Sequence, residues 1–95
     1  MLSLEGTVPP SIGSLTNLAI LTLHQNKLNG TIPSDFGKLR KLSGLYMWDN
    51  RFTGSLPSTL CSLSKLQEFE INKNLIKGRI PDCFGKLVSL KTLHM

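Results

Sequence analysis

The strongest constraint in this 95-residue chain is a repeat of 24 residues. Shifted by that period, the sequence aligns with itself without insertion or deletion as three full units, 18–41, 42–65 and 66–89, with partial units at 4–17 and 90–95. Self-similarity at a period of about 20–50 residues is typical of solenoids, in which each unit buries its apolar face only against its neighbours. The sequence therefore predicts a stack of coils.

The aligned columns are chemically distinct, which shows what each position does in the repeat. The apolar columns are Leu18, Leu42, Leu66 and Leu90; Leu21, Leu45, Phe69 and Leu93; and Leu23, Met47, Ile71 and Met95. Three further columns hold Asn26, Asn50 and Asn74; Gly6, Gly30, Gly54 and Gly78; and Pro9, Pro33, Pro57 and Pro81. We interpret the three asparagines as a structural ladder, because an unpaired amide would be costly inside a stack of coils.

Local patterns place short elements on these columns. In LTL, YMW and FEI the apolar columns alternate with solvent-facing positions, which predicts short strands. Glycine permits an unusual backbone turn after the asparagine, and proline holds its predecessor extended. Phe36 and Leu39, three residues apart in SDFGKL, predict a short 3₁₀ turn. The strands are predicted to centre on Thr22, Tyr46, Glu70 and Thr92 or Leu93.

Each unit follows the pattern LxxLxLxxNxL, extended by xGxIP and xxLGxLxx, and in these residues the chain resembles the plant-type leucine-rich repeat family. The resemblance implies an α/β repeat solenoid, a right-handed stack with a parallel β-sheet on its concave side and short 3₁₀ turns and loops on its convex side. It also implies about four uncapped coils of 24 residues, in a single domain over residues 1–95.

Two positions depart from the repeat. Leu2 stands in the asparagine column, and Cys61 stands where other units have Gly13, Gly37 and Gly85. Neither cysteine-bearing cap of the plant family is present, so we interpret the chain as a fragment. The uncovered strand at residues 90–95 then predicts end-to-end self-association.

The two cysteines, Cys61 and Cys83, belong to neighbouring units but to columns two residues apart. A disulfide needs Cα atoms within about 7 Å and converging Cβ vectors. Residues at offset columns of successive coils meet that distance only marginally, so we expect free thiols.

The solvent-facing strand columns do not contribute to the core and are the predicted location of a binding site. The predicted partner-binding residues are Thr22, His24, Gly44, Tyr46, Trp48, Asp49, Glu68, Glu70 and Asn72. Tyr46 and Trp48 are the only Tyr and Trp of the chain, and aromatic side chains are common anchors of protein recognition. We expect them to project side by side, with open space at Gly44. The alternative is that the pair only shields an apolar patch or packs on a neighbouring strand residue.

The charge distribution excludes some partners. The chain has a net charge of +5, but five of its eleven basic residues fall on the flank just before the strands, at Lys38, Arg40, Lys41, Lys65 and Lys86, and Lys77 and Arg79 fall near the convex turn. A nucleic-acid site would interleave basic residues with stacking aromatics, whereas here acidic residues accompany the aromatics. We therefore expect no nucleic-acid partner, and a solvated role for the basic flank.

Catalytic and cofactor motifs are absent from the sequence. Glu68 and Glu70 share a strand face, but no acid/base arrangement accompanies them, and His24 and His94 fall in different columns at opposite ends of the stack. We expect no catalytic residues, no metal and no cofactor. Asn29 begins the sequence NGT, a candidate N-glycosylation site if the chain is secreted.

By resemblance, the function is recognition of a protein or peptide on the concave face, as in extracellular receptor-like kinases and receptor-like proteins. Two alternatives stay open, a truncated structural remnant without its own ligand and an inhibitor of a cell-wall-degrading enzyme. The parent family implies an extracellular or cell-surface location, although this chain carries no signal peptide and no membrane-spanning segment.

Overall fold

The computed structural model describes residues 3–95, so the interpretation of Leu2 lies outside the described residues. Short strands alternate with 3₁₀ turns along the chain. The strands are β1 (Glu5–Thr7), β2 (Ile20–Thr22), β3 (Lys27–Thr31), β4 (Gly44–Tyr46), β5 (Arg51–Thr53), β6 (Glu68–Glu70) and β7 (Thr92–His94). The 3₁₀ turns are η1 (Pro10–Ser14), η2 (Ser34–Lys38), η3 (Ser58–Ser62) and η4 (Asp82–Lys86).

The first sheet has four strands in the sequential order β2-β4-β6-β7, and every neighbouring pair is parallel. The prediction of a parallel sheet with short 3₁₀ turns is confirmed. Three strands centre one residue earlier than predicted, on Leu21, Leu45 and Phe69, whereas β7 centres on Leu93. Each of these three strands ends early because the chain then bends toward a left-handed residue. Those residues are Gln25, Asp49 and Lys73, with φ of 56°, 59° and 57°.

A second parallel sheet, in the order β1-β3-β5, was not predicted. β1 contains Gly6 and β3 contains Gly30, whereas Gly54 directly follows β5, and the sequence predicted a turn at this column. Gly6 and Gly30 have φ of 93° and 78°, which other residues adopt only with strain. Glycine therefore lets the chain bend within β1 and β3.

The core fills the space between the two sheets and the 3₁₀ turns. Phe36 from η2, Phe52 from β5 and Phe69 from β6 are completely buried, together with leucines of the repeated columns. Each fully buried side chain of this size contributes roughly 1.5–3 kcal/mol relative to its exposed state. Because these residues come from different coils, the core forms only when the coils stack.

The asparagine column ties each coil to the one before it. Asn50 Nδ2 donates to the carbonyl oxygen of Leu23 in the preceding coil at 2.8 Å and to that of Met47 in its own coil at 3.1 Å. Its Oδ1 accepts from the backbone N–H of Leu28, also in the preceding coil, at 3.1 Å. Asn74 makes the equivalent bonds to Met47 and Phe52. Asn50 is buried, whereas Asn26 and Asn74 are partly exposed.

The 3₁₀ turns of successive coils are staggered by two columns, and this stagger corrects the prediction of free thiols. Cys61 and Cys83 form a disulfide with a Cα–Cα distance of 5.8 Å. The same two columns meet in the coil before, where a Cβ added to Gly37 would lie 2.5 Å from the carbonyl oxygen of Thr59. The prediction was wrong because it assumed that residues of the same column face each other in successive coils. A residue in the glycine column instead faces the next coil at a position two columns earlier in the repeat.

We expect the substitution Asn50→Ala to lower the free energy of unfolding by about 1–3 kcal/mol, because it leaves buried backbone groups of two coils without partners. The matched control is Asn17→Ala, at an exposed asparagine whose side chain only accepts from Lys41, with an expected change within about 0.5 kcal/mol. Urea denaturation monitored by circular dichroism measures both. Equal midpoints for the two variants would contradict the ladder role of Asn50.

The stagger predicts opposite results at two glycines of one column. Gly37→Ala forces a Cβ against the backbone of Thr59 and should cost about 1–3 kcal/mol of stability. Gly85→Ala has no atom within 4 Å of the new Cβ, so its effect should be neutral or a gain of up to about 1 kcal/mol. Thermal denaturation under oxidising conditions compares them. A larger loss at Gly85 than at Gly37 is incompatible with the stagger.

Candidate functional site

The solvent-exposed side of the four-stranded sheet, with the residues that directly follow its strands, is here named the sheet face. Inward positions such as Leu21, Leu45 and Phe69 alternate with the residues of this face, which is why every coil presents the same columns to solvent. The structure places all nine predicted partner-binding residues on this face or at its edge. They are Thr22 on β2; Gly44 and Tyr46 on β4; Glu68 and Glu70 on β6; and His24, Trp48, Asp49 and Asn72 after the strands.

Trp48 is held by a neighbouring ring. The imidazole of His24 stacks on the indole of Trp48 with ring centroids 4.8 Å apart and an interplanar angle of 6°. The two residues share a column, so the parallel register of β2 and β4 brings them together. Both are partly buried. A stacked pair of this geometry fixes the side chain of Trp48 and leaves it less conformational entropy to lose on binding a partner.

Tyr46 lies across its own strand. A Cβ added to Gly44 would lie 2.9 Å from Tyr46 Cε2, so the ring covers Gly44 and the expected open space there does not exist. The Tyr46 hydroxyl donates to Glu68 Oε2 at 2.7 Å, on the next strand of the sheet. Tyr46 and Trp48 therefore contact opposite neighbouring coils and do not project as a free pair. Residue alignment missed this because it shows the absence of a side chain at Gly44 but not what fills the gap.

The bond to Glu68 also changes the acidity of the phenol. It raises the pKa of Tyr46 above the ordinary value of 10.0, because the neutral phenol can donate to the carboxylate and the phenolate cannot. Partial removal from water and the negative charges of Glu68 and Glu70 raise the pKa of Tyr46 further.

A cleft of about 230 Å³, named the Trp48 cleft, opens at the end of the sheet face next to the last strand. Its lining residues are Trp48, Glu70, Asn72, Lys73 and His94. Lys73 and His94 were not among the predicted partner-binding residues, although Lys73 shares the column of Asp49 and His94 shares the column of Tyr46 and Glu70. His94 Nδ1 lies 3.8 Å from Glu70 Oε2, since the register of β6 and β7 pairs these two residues.

Two buried polar atoms on the sheet face lack a hydrogen-bond partner in the described residues. They are His24 Nδ1 and Asn72 Oδ1. An unpaired buried polar atom costs free energy, so such atoms in a folded protein call for an explanation. The one on Asn72 belongs to a residue that lines the Trp48 cleft.

The basic residues predicted to flank the strands lie outside this face, whereas Lys73 lines the Trp48 cleft. Lys38, Arg40 and Lys41 are exposed; Lys38 pairs with Asp35 at 3.1 Å, and Lys41 donates to Asn17 at 3.1 Å. Asn29 is exposed on β3, in the other sheet, and the prediction of glycosylation there stays a prediction.

Within residues 3–95, no group of three or more His, Cys, Asp or Glu side chains gathers in a way that would hold a metal ion. The same residues contain no helix with the length and apolarity needed to span a membrane.

The comparisons with known proteins agree on one repeat family. Family models described as leucine rich repeat match residues 17–39 and 40–95. No curated protein matches the chain at a significant level.

Solved structures give close matches over almost the whole chain. The plant peptide hormone receptor RGFR1 in complex with RGF2 is 37% identical, with a TM-score of 0.94 over 97% of this chain and 15% of the receptor chain. The Arabidopsis receptor kinase HAESA, in complex with the peptide hormone IDA and the co-receptor SERK1, is 36% identical, with a TM-score of 0.94 over 98% of this chain and 16% of that one. A plant ice-binding protein is 29% identical, with a TM-score of 0.90 over 99% of this chain and 33% of the other.

The single tyrosine of the chain makes its ionisation directly measurable. We expect Tyr46 to titrate above pH 10.0 in the native protein, and its midpoint to fall toward the ordinary value in Glu68→Gln. Because the folded-state pKa is raised, the bond stabilises the fold fully below the unfolded pKa, and this stabilisation is lost as pH rises through the folded pKa. Ultraviolet absorbance of the phenolate gives the midpoint. Glu5→Gln on β1 is the matched control, and equal midpoints in the two variants would contradict the assignment.

Proposed function

The chain belongs to the leucine-rich repeat family, and from that premise we propose that it is part of a recognition module that binds a protein or peptide partner on its sheet face. The chain spans only 15% and 16% of the two receptor structures described above; one is a peptide hormone receptor in complex with RGF2, and the other is in complex with the peptide hormone IDA and a co-receptor. Recognition by this chain is thus one part of what a longer parent protein does.

The observation that carries the proposal is the rigid aromatic pair of His24 and Trp48 beside an open cleft. Large aromatic side chains that are already ordered are the commonest energetic centres of protein recognition. The surrounding positions are exposed or partly exposed, are not needed in the core, and differ from coil to coil while the inward columns stay apolar. A surface of this kind can vary in sequence to suit a ligand without loss of the fold.

Several observations support an extracellular location for the parent protein. The disulfide between Cys61 and Cys83 is of a kind that persists in oxidising compartments and is rare in reducing ones. Asn29 and Thr31 of the glycosylation sequence are exposed on β3. Two of the similar structures are those of plant receptors.

Enzymatic activity is not part of the proposal, because the matching family models and the similar receptor structures support a binding module. The likeness to an ice-binding protein also does not extend to function here. The exposed column after the glycines holds Thr7, Thr31, Ser55 and Arg79, so it forms no regular row of small hydroxyl side chains.

The isolated chain has a second proposed contact, between copies. Leu4, Leu75 and Met95 are 51%, 58% and 51% exposed near the two ends of the stack. Apolar groups and unpaired strand edges at such places favour end-to-end association. This contact would not involve Trp48, so substitution of Trp48 should leave sedimentation behaviour unchanged.

Because the natural ligand is unidentified, the proposal is tested with a displayed library of random twelve-residue peptides, panned against the folded chain. We expect Trp48→Ala to weaken the selected peptides about 30-fold, equivalent to about 2 kcal/mol. Val88→Ala, at a valine that is 87% exposed after η4, is the matched control and should change affinity less than about twofold. Biolayer interferometry measures both. A library that returns no peptide dependent on Trp48 contradicts the proposal.

A further inference from the structure

We propose that the Trp48 cleft binds a cationic side chain, the guanidinium of an arginine or the ammonium of a lysine, presented by the peptide partner. This inference rests on the proposed function and adds the chemical class of the group that enters the cleft. Three features of the cleft carry it, an aromatic wall, free hydrogen-bond acceptors and the local balance of charge.

The aromatic wall is the face of Trp48 that His24 does not cover. His24, Trp48 and Asn72 occupy one column on successive coils, so His24 stacks on one side of the indole and the much smaller Asn72 lies on the other. Above this short side chain the indole borders the cleft. A cation near the face of an indole is attracted by the ring quadrupole, and tryptophan is the strongest such partner.

The acceptors are Glu70 and Asn72. The Glu70 side chain is 23% exposed, and the Nδ1 atom of His94 lies 3.8 Å from its Oε2 atom, which is too long for a hydrogen bond. Asn72 Oδ1 is buried and accepts no hydrogen bond. A guanidinium carries five N–H donors and an ammonium carries three, and neither has an acceptor, so such a group complements the partly exposed Glu70 carboxylate. It can also donate to Asn72 Oδ1 when the Asn72 side chain turns toward the cleft.

The local charge favours the same ligand. Although the whole chain has a net charge of +5, the sheet face at and beside the cleft carries three carboxylates, Glu70 in the lining and Asp49 and Glu68 next to it, together with the ammonium group of Lys73 and the imidazole of His94 in the lining. An anionic ligand would meet these carboxylates, whereas a cation would be drawn toward them.

The positive charge of Lys73 predicts the direction in which a substitution there changes ligand affinity. Lys73 is exposed at the rim of the cleft, and its own backbone is left-handed, with φ of 57°. Its positive charge repels a cation that enters the cleft. Removing its charge should therefore strengthen a cationic ligand and weaken an anionic one. Glu70 has the opposite effect, so substitutions at the two positions should shift affinity in opposite directions.

The experiment uses three capped tripeptides as probes, N-acetyl-Gly-Arg-Gly-amide and its Gln and Glu counterparts, titrated into the folded chain. Fluorescence reports on the cleft alone because Trp48 is the only tryptophan. We expect the Arg probe to bind about tenfold more tightly than the Gln probe, and the Glu probe to bind more weakly than either. For the Arg probe, Glu70→Gln should weaken binding about fivefold and Lys73→Gln should strengthen it about threefold, whereas Glu5→Gln, with the same charge change on β1, should leave it unchanged.

Preference for the Glu probe, or weaker binding of the Arg probe to Lys73→Gln, would show that the cleft takes anions and would overturn the inference. Equal responses to all three probes, or no response to any, would overturn it as well. Neither result would decide the proposed function, which the display experiment with Trp48→Ala tests independently. Circular dichroism of each variant confirms that it is folded, and the Lys73 and Glu70 substitutions test the inference separately.

Discussion

The bonds between one coil and the next are the interaction on which this molecule depends. A single unit of 24 residues buries almost nothing alone, since Phe36, Phe52 and Phe69 are covered only when neighbouring coils supply the rest of the core. Asn50 satisfies backbone groups of its own coil and of the preceding one with one side chain. Stacking therefore removes apolar surface from water and satisfies the corners of the coils in the same step, so the two effects are cooperative.

Because the core and the asparagine ladder hold the stack, the residues of the sheet face are free to vary in sequence. Inward columns and the asparagine ladder hold the stack, so residues between them are constrained only by their immediate neighbours. Those neighbours nevertheless impose order across the coils: His24 stacks on Trp48, and Tyr46 donates to Glu68. The face is thus rigid without being part of the core, which is the condition under which an aromatic side chain contributes most to binding.

On the other side of the stack, the 3₁₀ turns of successive coils are held together by different contacts from one coil to the next. Close approach of the 3₁₀ turns depends on glycine where Gly37 faces Thr59. One coil later the same contact is made by the disulfide of Cys61 with Cys83, and the glycine is gone. A covalent link and a close backbone contact thus serve the same place in the repeat, and this explains why the cysteine stands in a glycine column.

The sequence by itself determined whatever repeats: the 24-residue period, the inward leucines, the asparagine ladder and the parallel strands, because each rests on the same residue type in every coil. It also identified the residues of the sheet face, since alternation along a strand follows from backbone geometry. Only the tertiary structure decided which contacts form between unlike residues of different coils. Alignment of Cys61 with Gly37 and Gly85 contains no information about stagger, and an empty position at Gly44 does not reveal that the ring of Tyr46 fills it. Such contacts depend on side-chain conformations and on the offset between neighbouring coils, which a one-dimensional repeat does not encode.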